Sequence, residues 1–137
     1  LLRMFGAKIG KNVVIRPSVK ITYPWKLTLG DYAWVGDDAV LYTLGEITIG
    51  ANSVVSQKCY LCTGSHDFMS QHFDITASPI VIGEKCWLAT DVFVAPGVSV
   101  GDGTVVGARS SVFKSLPANT VCRGNPAVVI RERVETE

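Results

Sequence analysis

An aliphatic residue recurs at every sixth position through most of this chain, and this period constrains the fold more than any other feature of the sequence. The period breaks off and resumes at a few places, and fifteen positions follow it. They are Ile9, Ile15, Ile21, Leu29, Val35, Leu41, Ile49, Val55, Leu61, Ile82, Leu88, Val94, Val100, Val106 and Val112. Neither the 3.6-residue period of a helix nor the alternation of an ordinary strand produces this spacing over about 100 residues.

Two further positions repeat with the aliphatic residue. The residue directly after the aliphatic one is glycine in seven of the fifteen repeats. The residue four positions after it is small or β-branched in thirteen. We interpret each hexapeptide as one short strand with a tight corner, and three hexapeptides as one coil of a solenoid. The aliphatic side chain would fill the interior, and the small one would pack near the axis. The glycine would accept the unusual dihedral angles of a corner.

The sequence therefore predicts an all-β fold, a parallel β-helix prism of about five coils over residues 9–117, in a single domain, 1–137. Residues 63–79 interrupt the period and predict a protruding loop, and a long ordered loop on such a scaffold is usually functional. Residues 118–137 leave the prism. Asn125-Pro126 is a good start for a helix, so we expect a short C-terminal helix over Ala127–Arg133 that frays at residues 135–137.

Composition excludes several classes of partner. The net charge is +1 and the pI about 7.8, so no bulk field attracts nucleic acid. No apolar run approaches the roughly 18 residues of a membrane span. The chain has four cysteines but no sign of secretion, so we expect reduced thiols and a cytoplasmic location.

Four segments in a fixed order carry a resemblance to a known family. They are Trp87–Thr90, Pro96–Gly103, Val106–Ala108 and Gly124–Ala127, and the resemblance extends over nearly the whole chain. It is to the left-handed β-helix, or hexapeptide-repeat, acyltransferases. The resemblance implies a left-handed coil and transfer of acetyl from acetyl-CoA to a sugar hydroxyl in exopolysaccharide biosynthesis of the colanic acid type. It also implies a homotrimer with its sites between the prisms and no required metal.

The same resemblance implies the cofactor contacts. Thr90 corresponds to a residue beside the thioester arm, and Ala108 to an alanine whose backbone meets pantetheine. Phe113 and Lys114 correspond to a Thr-Lys pair near the cofactor, so Phe113 departs from the pattern. Arg131 corresponds to a basic residue near the CoA phosphates, which Lys and Arg bind well.

His66, at the start of the long loop, is where the family keeps its catalytic base. Histidine titrates near neutral pH and suits removal of a hydroxyl proton, with direct transfer to the acceptor. Asp67 either orients the imidazole or is solvated, and His72 is the less favoured histidine. For the acceptor we single out three residues on the coil before the long loop, which could bind hydroxyls or stack on a sugar. They are Trp34, Asp37 and Asp38.

Three alternatives stay open. Cys62 is four residues from His66 and could carry an acyl group, although direct transfer is simpler. Cys59, Cys62 and His66 have the spacing of a metal-binding knuckle, but the sequence has no second pair of ligands at similar spacing. A zinc carbonic anhydrase would need three histidine ligands, and this chain has two histidines. A non-catalytic scaffold is the third alternative, but it would not need a loop histidine, a Trp segment and a basic C-terminus together.

Overall fold

The computed structural model describes residues 1–134, and nearly all of its regular structure is β-strand. Two short 3₁₀ turns occur, at Leu2–Phe5 and Pro24–Lys26. The strands in chain order are β1 (Lys8–Ile9), β2 (Val14–Ile15), β3 (Lys20–Ile21), β4 (Leu27–Leu29), β5 (Trp34–Val35), β6 (Val40–Tyr42), β7 (Ile47–Ile49), β8 (Val54–Val55), β9 (Tyr60–Cys62), β10 (Gly64–His66), β11 (Ile75–Ala77), β12 (Ile80–Ile82), β13 (Trp87–Leu88), β14 (Phe93–Val94), β15 (Ser99–Val100), β16 (Val105–Val106), β17 (Ser111–Val112), β18 (Thr120–Gly124) and β19 (Ala127–Glu132).

Three stacked sheets form the walls of the prism. Sheet A contains β1, β4, β7, β12 and β15, sheet B contains β2, β5, β8, β13, β16, β18 and β19, and sheet C contains β3, β6, β9, β14 and β17. Neighbouring strands are parallel except for β18 and β19. Successive strands enter successive sheets, so the chain winds through a parallel solenoid of about six turns, the last of them partial. The predicted all-β solenoid is confirmed.

Among residues 1–134, no helix is long and apolar enough to cross a membrane.

The aliphatic repeat fills the interior as predicted. From Leu29 to Val112, every aliphatic residue of the repeat is at most 2% exposed. Ile9, Ile15 and Ile21 are only partly buried, because the first coil has a neighbouring coil on one side alone. The buried residues make one continuous apolar core, and burial of such side chains is the main favourable term in folding.

The glycines of the repeat have a different role from the one predicted. Gly36 and Gly50 do not adopt positive φ; the residues two positions later, Asp38 and Asn52, do, at 60° and 58°. A Cβ on Gly36 would lie 2.7 Å from the backbone nitrogen of Gln57 in the next coil. Glycine is therefore required because adjacent coils approach closely at the corner, which leaves no room for a side chain.

The small-residue position is also interior in most repeats, and the clearest exception is Ser65. Ala33, Ser53 and Cys59 are at most 1% exposed, whereas Ser65 is exposed on β10. Thr63 fills the interior in place of Ser65. Its hydroxyl donates a hydrogen bond to the Tyr42 carbonyl at 2.6 Å and accepts one from the Gly45 N–H at 2.8 Å.

The prediction that the chain leaves the prism at residue 118 is wrong, because β18 pairs parallel with β16 and continues sheet B. The excursion after β9 and the segment that begins with β18 both form β-hairpins. The predicted excursion over residues 63–79 is present, with β10 and β11 paired antiparallel, but it leaves the prism one residue later than predicted because Thr63 is interior. The predicted C-terminal helix over Ala127–Arg133 is wrong, because β19 pairs antiparallel with β18 and Asn125-Pro126 lies at the turn between them. Val128, Val129 and Ile130 favour a strand, and β18 offers them unpaired backbone groups. The expected fraying at residues 135–137 lies outside the described residues.

Adjacent residues of β12 provide a test of this packing. Ile82 is 1% exposed and Val81 is 42% exposed. We expect Ile82→Ala to lower the free energy of unfolding by about 2–5 kcal/mol, because it leaves a cavity. Val81→Ala is expected to change it by less than about 0.5 kcal/mol. Urea denaturation followed by circular dichroism measures both, and equal effects would contradict the assignment of inward and outward positions.

Candidate active site

His66 ends the first strand of the hairpin that projects from the prism. It pairs with Ile75 on β11, and its side chain is exposed. The imidazole Nδ1 lies 2.8 Å from the carbonyl oxygen of Phe73. A carbonyl oxygen can only accept a hydrogen bond, so Nδ1 carries the proton and donates it. In the neutral imidazole the other ring nitrogen, Nε2, then carries the lone pair and is the atom that can act as a base.

The loop of the hairpin fixes the position of that carbonyl. Phe73 has a φ of 49°, a left-handed conformation that is uncommon for a side chain of this size. The Ser70 hydroxyl donates to the Asp67 carbonyl and accepts from the Asp74 N–H, both at 2.8 Å. The Asp67 carboxylate accepts from the Met69 N–H at 2.9 Å. The Phe73 carbonyl therefore orients His66, and Asp67 stabilises the turn. His72, in the same loop, is exposed.

A small cavity of about 90 Å³ opens beside His66. It is lined by Tyr42, Leu44, Gly64, Ser65, His66 and Ile75. Gly64 permits the close packing of this cavity, because a Cβ there would lie 2.6 Å from Leu44 Cδ1 and 2.8 Å from a ring carbon of Tyr42. Sequence analysis missed Tyr42, Leu44 and Ile75. Ile75 lies within the long loop, whereas Tyr42 and Leu44 are on the preceding coil and approach His66 through the pairing of β6 with β9.

The predicted site residues fall into two groups at different corners of the prism. Thr90 and Ala108 follow strands of sheet B, at the corner where the chain passes to sheet C, which we call the B–C corner. The Thr90 hydroxyl donates to the Gln57 carbonyl at 3.2 Å, and Ala108 is exposed. Asp37 and Asp38 lie at the same corner, two coils before Thr90.

The second group lies where the chain passes from sheet C to sheet A, which we call the C–A corner. Phe113 and Lys114 follow β17 there, and the His66 hairpin projects from the same corner two coils earlier. In every coil a strand of sheet C separates this corner from the B–C corner. A single chain therefore does not bring His66 together with Thr90 and Ala108.

The other predicted residues lie on sheet B or in ion pairs. Trp34 is 38% exposed on β5, in the same sheet as Trp87. Asp37 forms an exposed ion pair with Arg16, with Nε and Oδ1 3.1 Å apart. Arg131 is exposed on β19, in the terminal hairpin.

The thiols do not form a metal site. Cys59 lies inside the prism and donates to the Ala89 carbonyl at 3.1 Å, whereas Cys62 donates to the Gly64 carbonyl at 3.1 Å and is only half-buried. His66 is on the hairpin, away from the interior. Within residues 1–134, no three His, Cys, Asp or Glu side chains are grouped so that they could hold a metal ion.

Comparison with known proteins identifies the family. The family described as bacterial transferase hexapeptide (six repeats) matches residues 79–114. Over all 137 residues the chain is 90% identical to a protein of Escherichia coli (strain K12) that is named as a colanic acid biosynthesis acetyltransferase, WcaF. The chain covers 75% of the length of that relative. The chain belongs to the hexapeptide-repeat acetyltransferases.

Solved structures of other acetyltransferases have the same fold. The maltose O-acetyltransferase of Clostridium difficile 630 superposes with a TM-score of 0.92 at 29% identity, over 98% of this chain and 73% of its own. A galactoside acetyltransferase in complex with coenzyme A superposes with a TM-score of 0.91 at 28% identity, over 97% of this chain and 68% of its own. The predicted enzyme class is therefore confirmed.

The interior thiol gives the stability of this acetyltransferase a pH dependence. Burial raises the pKa of Cys59 from 9.0 to about 11. A pKa raised by folding means that the folded state holds the proton more tightly than the unfolded state. The protonated thiol therefore contributes to the free energy of unfolding. Its contribution is complete below about pH 9 and is lost as the pH rises through about 11. Urea denaturation at pH 8 and pH 10.5 should show lower stability at the higher pH, and a smaller loss in Cys59→Ala. An equal loss in both proteins would contradict the interior position of this thiol.

Proposed function

We propose that this chain transfers the acetyl group of acetyl-CoA directly to a sugar hydroxyl, in exopolysaccharide biosynthesis of the colanic acid type, with His66 as the general base. The observation that carries the proposal is the hydrogen bond from His66 Nδ1 to the Phe73 carbonyl. In the neutral imidazole this bond makes Nε2 the basic nitrogen, on a residue that lines a cavity. Relatives named for galactoside and lipopolysaccharide O-acetylation support a carbohydrate acceptor.

The chemistry needs one base and a good leaving group. His66 Nε2 removes the proton of the acceptor hydroxyl as its oxygen attacks the thioester carbonyl carbon. The tetrahedral intermediate collapses with cleavage of the C–S bond, which gives the O-acetyl sugar and CoA thiolate. The imidazolium then returns its proton to the thiolate. The scheme requires neither an acyl-Cys62 intermediate nor a metal.

Acetyl-CoA would lie along the B–C corner. Thr90 and Ala108 are on successive coils there, about 4.8 Å apart along the prism axis, so an extended pantetheine arm can contact the backbone of both. Arg131 is an exposed cation suited to the phosphates, and Lys114, at the C–A corner, would reach them from a neighbouring subunit. Phe113, next to Lys114 at the C–A corner, would offer an aromatic face from the same neighbouring subunit.

The acceptor would enter the cavity beside His66. The hydroxyls of Tyr42 and Ser65 supply polar partners there, and Leu44 and Ile75 supply apolar contacts. Trp34, Asp37 and Asp38 lie towards the other corner, so they would contact the acceptor from a neighbouring subunit.

A homotrimer would bring the two corners together. When the C–A corner of one copy meets the B–C corner of the next, the contact is heterologous, and it closes into a ring under three-fold symmetry. Sheet C lies between the two corners. It exposes an uncharged row formed by Tyr42, Tyr60, Phe93 and Phe113, with successive ring centroids 6.5, 5.9 and 6.0 Å apart. Aromatic surface without charge is typical of the buried part of an interface.

Three further properties complete the proposal. The coil is left-handed, as in the family it resembles and against the usual rule for crossover connections. Residues 1–137 act as one domain, and the enzyme works in the cytoplasm, where its four cysteines stay reduced.

Substitution of His66 tests the catalytic assignment. His66→Ala should lower kcat for acetylation by about 10²–10⁴-fold, since the acceptor proton then has no base. Acetyl-CoA binding, measured by calorimetry, should persist because the imidazole lies on an exposed hairpin. His72→Ala is the matched control and should keep full activity, as should Cys62→Ala. A fully active His66→Ala variant would contradict the assignment of the base. An acetylated enzyme trapped in the absence of acceptor would contradict direct transfer.

Subunit mixing tests whether the site is shared. His66→Ala damages the C–A corner, and Ala108→Trp should block the B–C corner; each variant alone is expected to be inactive. In trimers formed by co-expressing the two variants in equal amounts, about a quarter of the sites should combine two intact corners. Activity near that fraction of the parent value supports a shared site. An inactive mixture of correctly assembled trimers means that each chain holds a complete site.

A further inference from the structure

An exposed aromatic pair lies on the first coil, at the same corner as the His66 hairpin. The rings of Tyr23 and Trp25 are stacked, with centroids 4.9 Å apart and planes inclined by 30°. Tyr23 is 37% exposed and Trp25 is 58% exposed. Both follow β3 and precede β4, which places them at the C–A corner. We call this pair the aromatic platform, and neither the repeat nor the proposed chemistry accounts for it.

The aromatic platform is held in a fixed position. The Tyr23 N–H donates to the Thr43 hydroxyl at 2.7 Å, and that hydroxyl donates to the Tyr23 carbonyl at 3.1 Å. Thr43 is fully buried, so this anchor belongs to the prism. Gly6 lets the chain pack onto Trp25, because a Cβ on Gly6 would lie 2.9 Å from Trp25 Cβ. A surface ordered before binding loses little entropy when a ligand arrives.

Lys26 connects the platform to the cavity beside His66. Its ammonium group lies 5.8 Å from the centroid of the Tyr23 ring and donates a hydrogen bond to the carbonyl of Leu44. Leu44 lines the cavity that His66 also lines. The platform is two coils from the coil of His66, roughly 10 Å along the prism axis. That distance is longer than a single pyranose ring.

We propose that Tyr23 and Trp25 form an outer sugar subsite, so that the acceptor is an oligosaccharide rather than a single sugar. This inference rests on the proposed function. One sugar unit places its hydroxyl beside His66, while a neighbouring unit stacks the apolar C–H face of its ring on the platform. Flat aromatic surface suits such a face. The Lys26 ammonium is positioned to donate to a hydroxyl or carboxylate of the same unit.

The test compares acceptors of different length on the parent and on Trp25→Ala. The acceptors are the repeat-unit oligosaccharide of de-O-acetylated colanic acid-type exopolysaccharide and its free monosaccharides, at saturating acetyl-CoA. Trp25→Ala should raise KM for the oligosaccharide about tenfold, which corresponds to about 1.4 kcal/mol. KM for the monosaccharides, KM for acetyl-CoA and kcat at saturating oligosaccharide should not change. Trp25→Phe should recover most of the loss, because it restores an aromatic face.

Tyr32→Asn is the matched control. Tyr32 is 52% exposed on the second coil, where it follows sheet A, and its φ of 62° is one that asparagine tolerates. This variant should leave every KM unchanged. If Trp25→Ala acetylates the oligosaccharide with the parent's KM, or loses affinity equally for monosaccharides, the outer subsite is wrong while the proposed function stands. If the parent acetylates neither kind of acceptor, the proposed function fails, and the subsite with it.

Discussion

Backbone hydrogen bonding between successive coils is the interaction on which the rest of the structure depends. The N–H of Gly30 donates to the Ile49 carbonyl, that of Gly50 to the Ile82 carbonyl and that of Gly83 to the Val100 carbonyl, all at 2.8–2.9 Å. These bonds hold the coils at the spacing of paired strands, about 4.8 Å. At that spacing no Cβ fits at these corner glycines. Aliphatic side chains fill the narrow interior, two from a strand such as β4 and one from a strand such as β5. The inward position recurs along the chain because each hexapeptide forms one wall of a coil.

The same stacking positions the active site. Strand β12 pairs in regular parallel register with β7, from Ile80 opposite Ile47 to Ile82 opposite Ile49, although the hairpin lies between the two strands in the chain. A long excursion adds little entropic cost once both of its ends are fixed by the sheets. The hairpin can therefore carry His66 away from the prism without disturbing the core. Corner residues of successive coils lie above one another along the prism axis. Residues from distant parts of the chain therefore form one continuous corner, along which an extended cofactor can bind.

Much of this site could be predicted from sequence, and the limits have physical causes. His66 was found because it opens the segment that breaks the period and because the chain resembles a known family. Its tautomer could not be found that way, since it depends on the Phe73 carbonyl, which a left-handed turn aims at the ring. Tyr42 was missed because it approaches His66 only through the pairing of β6 with β9. The C-terminal helix was wrongly predicted because Asn125-Pro126 gives a strong local signal, whereas the pairing of β19 with β18 is decided by tertiary structure.

By itself, the sequence determined the all-β solenoid, the inward-facing aliphatic residues, the position of the excursion and the family. Each of these follows from a pattern that repeats or from motifs that are contiguous in the chain. Only the tertiary structure decided that the predicted contacts divide between two corners of the prism. It also decided that the glycines allow adjacent coils to approach closely, and that Tyr23 and Trp25 lie at the same C–A corner as His66. These relations depend on which residues lie above one another in the stack. That register is set by hydrogen bonds between coils whose paired residues are 15 or more positions apart in the chain, which no local pattern encodes.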